Sequence, residues 1–226
     1  MLLIYTYCMI NMQDETMSPR PYRMGKRQAA ADDTRARILE AARQLLANES
    51  ETDLGMEAIA RRADVSRLTL YYQFKSRPGL LEALYDHLAI RGNMRRMAEV
   101  FHEPDASVAM EKLVLTFAGF WSSDPVVIRR LRGIATLDAE IDQGIRARDA
   151  RRQHAAREII RRTGLRGKKK PSTEQQNLTA DVLSMLTSFE SYDALARAGH
   201  SQEEIVATIT RIARAIVESA DWSGLG

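Results

Sequence analysis

The stretch from Ser66 to Arg77, "SRLTLYYQFKSR", gathers three cations, two adjacent tyrosines and four further hydrogen-bonding side chains into twelve residues. Its apolar set is small. If Val65, Leu70 and Phe74 bury one side of a two-turn helix, then Arg67, Leu68, Thr69, Tyr71, Tyr72 and Gln73 remain on the outer and flanking faces. Such a set suits a DNA duplex. A guanidinium can clamp guanine with two hydrogen bonds, and a leucine or threonine methyl can meet a thymine methyl. Hydroxyls, amides and cations along the flanks hold phosphates. Packing against the next helix is about as good an account of Tyr71 taken alone. It fails for the whole set, which points in too many directions.

The elements that must position these residues follow from the surrounding pattern "MEAIARRADVSRLTLYYQFKSR". A short helix over about Met56–Ala63, a turn through Asp64 and Val65, and a second short helix over about Arg67–Phe74 make a helix-turn-helix. Ala60 is small where the two helices must cross closely. Asp64 occupies a position that calls for left-handed backbone, which Asp tolerates better than most residues. Ser66 is placed to cap the second helix and Ser76 the next, with Pro78 in its first turn, where a missing N–H costs nothing.

Periodicity of 3.6 places nine helices along the chain and no strand, so the fold class expected is all-α. The first covers about Thr34–Ala47 with Asp32 or Asp33 as its cap. The fourth runs unbroken to about Phe101, the fifth covers about Ser107–Trp121, and the sixth about Pro125–Leu137. The seventh spans about Ile141–Thr163. The eighth runs from about Thr173 to Ala198, and the ninth follows a Gly199 stop and a Ser201–Glu204 capping box. Three regions are expected: 1–31 as a disordered or basic arm, 32–79 as the DNA-binding head, and 80–226 as an effector-binding and dimerisation domain.

Bulk composition is that of an ordinary globular chain, with 45% hydrophobic and 28% charged residues among 226. The net charge of +3 is unevenly spread: residues 125–170 carry +9 and residues 171–226 carry −5. Uneven charge hints at a polyanionic partner. The arginine-rich seventh helix is nevertheless expected to be solvated or paired with the acidic C-terminal helices. A single cysteine, Cys8, excludes an intramolecular disulfide and a thiolate metal cluster and fits a reducing cytoplasm. The apolar opening "MLLIYTYCMI" is too short to span a bilayer and lacks the flanks of a signal peptide, so no membrane partner is expected. The four histidines are dispersed without metal-ligand spacing, and "GLRGKKKPS" lacks the spacing and preceding strand of a phosphate loop. No nucleophile–base pair is present. The expectation is therefore a non-enzyme with no cofactor and no metal.

From Arg37 to Leu81 the chain, "RILEAARQLL" followed by "IARRADVSRLTLYYQFKSRPGLL", resembles the DNA-binding head of the TetR family of bacterial transcriptional regulators. That resemblance implies base and phosphate contacts from Arg67, Leu68, Thr69, Tyr71 and Tyr72. It implies phosphate contacts from Ser66, Gln73, Lys75 and Arg77. The sequence departs from the family pattern at Asp64, where a turn glycine is usual, at Gly55, where a threonine usually starts the second helix, and at Arg77 in place of lysine. Gly55 removes a hydroxyl contact to phosphate, for which a basic arm at Arg20, Arg23, Lys26 and Arg27 can compensate.

The family further implies a homodimer that binds double-stranded DNA and releases it on meeting a small-molecule effector. Met94, Met97, Phe101, Phe117, Trp121, Leu137, Met185 and Phe189 are the effector-pocket candidates, each of which also fits ordinary core. Val182, Met185, Phe189, Tyr192, Ile205, Ile209, Ile212 and Ile216 recur at coiled-coil spacing and are the dimer-interface candidates. The alternative is a helical protein-interaction module with a degenerate helix-turn-helix.

Overall fold

The computed structural model describes residues 21–48, 54–163 and 172–218; the opening decapeptide with Cys8, Arg20 and residues 164–171 of the "GLRGKKKPS" loop lie outside them. Among the described residues there are eleven α-helices, one 3-10 turn and no strand. The chain divides into two units, 1–37 and 38–226. Helix α1, Pro21–Ala47, begins a dozen residues before the expected start. Asp32 is no cap: it accepts from Gln28 Nε2 at 3.0 Å, and Thr34 Oγ1 donates back to the Ala30 carbonyl at 2.8 Å. Both bonds span one turn, and Lys, Arg, Gln and Ala, all good helix formers, flank Asp32–Thr34 in the run "KRQAAADDTRAR".

In the second unit, α1 from Ile38 onward packs with α2 (Met56–Arg62), α3 (Arg67–Phe74) and α4 (Arg77–Arg91). Ile38, Leu46, Ile59, Leu70, Leu80 and Leu84 are at most 1% exposed, and Val127, Leu131 and Ile141 join the same core. Close-packed interiors of this kind fix side chains in single rotamers. The turn between α2 and α3 follows the sequence expectation: Asp64 has φ 50°, and Val65 N–H donates to the Ala60 carbonyl at 3.0 Å. Ala60, 5% exposed, leaves room for that crossing.

The expected long fourth helix is broken. It stops at Arg91 because Asn93 turns left-handed at φ 55°, followed by a 3-10 turn (Met94–Arg96) and α5 (Met97–His102). A Cβ on Gly92 would lie 2.3 Å from a ring carbon of Phe120, so only glycine lets the chain pass there.

Beyond it, α6 (Ala106–Ser123), α7 (Pro125–Ala135), α8 (Ala139–Thr163), α9 (Thr173–Leu186), α10 (Phe189–Arg197) and α11 (Gln202–Glu218) enclose a second core. Here too one expected helix is two. The segment after Thr173 breaks at Thr187 and Ser188, where Ser188 Oγ accepts from Ser191 N–H and caps a new helix. Trp121 Nε1 donates to the Thr187 carbonyl at 3.0 Å, a group the ended helix leaves unpaired. The last junction matches expectation, with Gly199 at φ 94° and reciprocal Ser201–Glu204 bonds of 3.2 and 2.8 Å.

The arginines of the basic block are largely paired. Arg129 bonds Asp193, Arg132 meets Asp149 at 3.0 Å and Glu190 at 2.6 Å, and Arg157 reaches Asp181 at 3.3 Å. Acids of the C-terminal helices thus meet Arg129, Arg132 and Arg157, while Arg146, Arg152 and Arg161 pair within α8 and Arg148 with Glu82 of α4.

Depressed carboxyls, Glu40 and Asp138 among them, set an acid limit on stability. The Arg43 guanidinium, 2.8 Å away, is the main cause holding Glu40 at a pKa of about 2, well below its ordinary 4.5. Arg77 lowers Asp138 in the same way. A folded-state pKa below the unfolded one contributes stability that is present above about pH 4.5 and lost as pH falls toward 2. The melting temperature is expected to drop across that window, and Glu40→Gln to flatten the drop. Circular dichroism melts at stepped pH check this.

Candidate nucleic-acid interface

Helix α3 is short, and its ends are fixed by side chains rather than length. Ser66 Oγ accepts from Thr69 N–H at 3.0 Å and lies 2.8 Å from Thr69 Oγ1. At the other end Lys75 N–H donates to the Tyr71 carbonyl at 2.8 Å, and Lys75 itself turns to φ 67°. Leu70, 0% exposed, and Phe74, 5%, anchor the helix, with Val65 packed against the same core. Such capping is worth roughly 1 kcal/mol per end, so burial of Leu70 and Phe74 carries most of the stability.

With that face fixed, the remaining side chains point away from the core. Leu68 is 79% exposed and Tyr72 74%, while Tyr71 is 37% exposed. Exposed large apolar side chains on adjacent turns form a patch of the sort that marks an interaction surface. Arg67 Nη1 donates to Glu57 of α2 at 2.9 Å, and its guanidinium carbon stands 5.7 Å from the Tyr71 ring centre. Lys75 Nζ lies 4.9 Å over the Tyr72 ring. Thr69 and Gln73 are half-buried on the flanks. The result is a rod of hydroxyls, rings and cations on a rigid helix. Gly55 occupies the cap of α2 and offers no side chain there.

Arg77 sits differently from the others. Its guanidinium donates to Asp138 Oδ2 and Glu140 Oε2, each at 2.5 Å, and to Asp138 Oδ1 at 3.3 Å. The two acids open α8, and sequence reasoning did not connect them with Arg77. They lie about sixty residues away along the chain, with no local signal to find them. Glu57, the partner of Arg67, lies only ten residues away but on the preceding helix, so the crossing of α2 and α3 brings the pair together.

The effector-pocket candidates do not form one group. Phe117, Trp121 and Phe189 make a buried aromatic cluster, with ring centres 5.9 Å apart for Phe117–Trp121 and 5.5 Å for Trp121–Phe189. Met94 and Met97 pack against this second core from the side. Phe101 is 38% exposed, Met185 58% and Leu137 95%, so these three line no interior space. The void beside Trp121, Val114 and Ile209 measures about 10 Å³. A roomier recess of about 160 Å³ lies where α4 ends, lined by Arg91, Asn93, Arg96, Leu115, Thr116 and Gly119.

The dimer-interface candidates divide by face. Phe189, Tyr192, Ile205 and Ile209 are buried in the chain's own core. Val182 and Ile216 are half-buried, and Met185 and Ile212 (40% exposed) face outward. Leu178, 51% exposed, extends this outer stripe one turn along α9. Among the described residues no cluster of three potential metal ligands occurs, and no helix is long and apolar enough to cross a membrane.

Comparison with known proteins agrees with this architecture. Residues 38–84 match the family model for bacterial regulatory proteins of the tetR family. The chain is 33% identical over 106 residues to the HTH-type transcriptional regulator AlkX of Mycobacterium tuberculosis, covering 45% of this chain and 48% of that protein. It is 39% identical over 67 residues to the uncharacterized HTH-type regulator YvkB of Bacillus subtilis, covering 29% and 35% respectively. The chain thus spans about half or less of the curated relatives it matches. In fold it is similar to a TetR-like regulator from Rhodococcus sp. RHA1, with TM-score 0.58 at 19% identity, covering 80% of this chain and 94% of that one. A TetR regulator from Haloarcula marismortui gives 0.62 at 16% identity, covering 83% and 98%.

A short capped helix on a helix-turn-helix base, followed by an all-helical body, is the TetR-like fold of these solved structures. Over residues 38–84 the chain carries the helix-turn-helix segment of the tetR family of bacterial regulatory proteins.

Proposed function

We propose that the protein is a cytoplasmic repressor that binds a twofold-symmetric DNA operator as a homodimer and leaves it when a small molecule binds the helical body. The outward face of α3 carries this proposal: Leu68 and Tyr72 stand in solvent with no packing role, beside Arg67 and Lys75. In a major groove Arg67 would clamp a guanine, while Leu68 and the Thr69 methyl would meet thymine methyls. Ser66, Tyr71, Tyr72, Gln73 and Lys75 would hold phosphates on either side. Residues 38–79 act as the reading head in this account, and the helical remainder as the effector and dimer body. Two heads read half-sites about 34–36 Å apart, or further on a longer operator. Effector coupling of about 1–3 kcal/mol suffices to release DNA. The aromatic cluster around Trp121 is the site for that effector, on the condition that its packing opens.

Selecting bound fragments from genomic DNA tests the proposal. An enriched inverted repeat is expected, and Arg67→Ala is expected to cost about 1–3 kcal/mol and relax preference at one base pair of each half-site. Enrichment of no sequence would favour the helical interaction module instead.

A further inference from the structure

Arg77 has two candidate partners of the same chemistry. It begins α4 directly after the Ser76 cap, within three residues of the end of α3, where a cation can reach a phosphate beside the recognition helix. In this structure its outer N–H groups instead grip Asp138 and Glu140 in the manner of a guanidinium clamping two phosphate oxygens. We propose that the Asp138–Glu140 corner is a built-in competitor of DNA phosphate for Arg77, so that the body of the protein sets how many phosphates the head can neutralise. The inference rests on α3 being the DNA-binding helix.

Three observations support exchange rather than a fixed structural tie. First, the acids stay stable without Arg77. They open α8, whose N-terminal dipole favours carboxylates, and Asp138 Oδ1 also accepts from Glu140 N–H at 3.1 Å and Ile141 N–H at 3.2 Å. Second, the pair is open to water: the Arg77, Asp138 and Glu140 side chains are 28%, 23% and 46% exposed. Ion pairs so exposed are weak enough for a phosphate to replace. Third, the distance of the corner from Arg77 is set by how α8 sits along α4. Tyr85 OH donates to the Ile141 carbonyl at 2.8 Å, and Arg148 of α8 lies 4.0 Å over the Tyr85 ring while bonding Glu82 at 3.0 Å. A Cβ on Gly144 would come within 2.4 Å of that ring, so α4 and α8 touch at van der Waals distance. A small shift of α8 along α4 therefore moves the carboxylates relative to Arg77.

The test uses the full chain and a labelled random-sequence duplex, read by fluorescence anisotropy from about 50 to about 200 mM salt. Asp138→Asn with Glu140→Gln removes both charges while asparagine keeps the helix cap, and a thermal melt verifies folding. Freed Arg77 adds one phosphate contact. Binding is expected to tighten about tenfold at the lower salt and about threefold at the higher, steepening the log–log slope by about 0.9. In an Arg77→Ala background the same pair of changes is expected to do nothing. An equal gain without Arg77 would mean that general charge removal suffices and would overturn the inference. So would a wild-type protein that binds duplex and a double variant that binds it no better. If neither protein binds, the DNA-binding account falls together with the competition.

Discussion

Leu70→Ala is expected to lower folding stability by about 2–5 kcal/mol, whereas Leu68→Ala, two residues earlier on the same helix, is expected to leave it within about 0.5 kcal/mol. The residue type and the change are identical, and only the face differs. Leu70 is 0% exposed, in a core shared with Ile38, Leu46, Ile59 and Leu84, so truncation leaves a cavity that the two short helices cannot close. Leu68 is 79% exposed and has little to lose. Urea denaturation of both variants is the check. Comparable losses would mean that Leu68 packs in the folded protein and that α3 has no free face.

The second large effect concerns the body. Met185→Glu combined with Ile212→Glu is expected to convert the proposed dimer to monomers with little change in the melting temperature of the chain. Both side chains face solvent in the isolated subunit, on α9 and α11, next to half-buried Val182 and Ile216 and exposed Leu178. An apolar stripe of this length on two neighbouring helices matches what a shared helical bundle requires. Glutamate at Ile209 would be a poor substitute test, because Ile209 is 4% exposed inside its own subunit and a buried charge there would unfold it. Sedimentation velocity distinguishes the outcomes: an intact dimer in the Met185→Glu, Ile212→Glu variant removes the stripe from the interface. Loss of the dimer should also weaken operator binding steeply, since each head alone holds one half-site.

What could be read from the sequence is what is encoded locally. The α2–turn–α3 unit, its left-handed Asp64, the Ser66 and Ser76 caps and the Gly199–Ser201 junction each depend on residues within four positions of one another. The breaks were hidden for a reason. Leu178, Val182, Met185, Phe189 and Tyr192 keep an unbroken three–four spacing across Thr187 and Ser188, and the break comes from a partner, Trp121, that arrives 66 residues away in sequence. The same spacing could not say which seam residues face inward, because the subunit core and a dimer interface ask for the same pattern. Ile205 and Ile209 went to the core, Ile212 to the surface. Leu137 looked like a buried member of its helix, yet α7 ends two residues before it and leaves it 95% exposed. Arg77 was legible as a cation beside α3. Its acidic partners were not, since only the packing of α4 on α8 brings them together.

The central claim is that the outward face of α3 contacts a duplex. It is tested most directly by titrating the selected operator fragment with wild-type protein and with Leu68→Ala, Tyr72→Ala, after matching their melting temperatures. The variant is expected to fold as well as the wild type and to lose at least about tenfold in affinity, with the salt slope largely kept because the phosphate-binding cations remain. Equal affinity in the two proteins would contradict it.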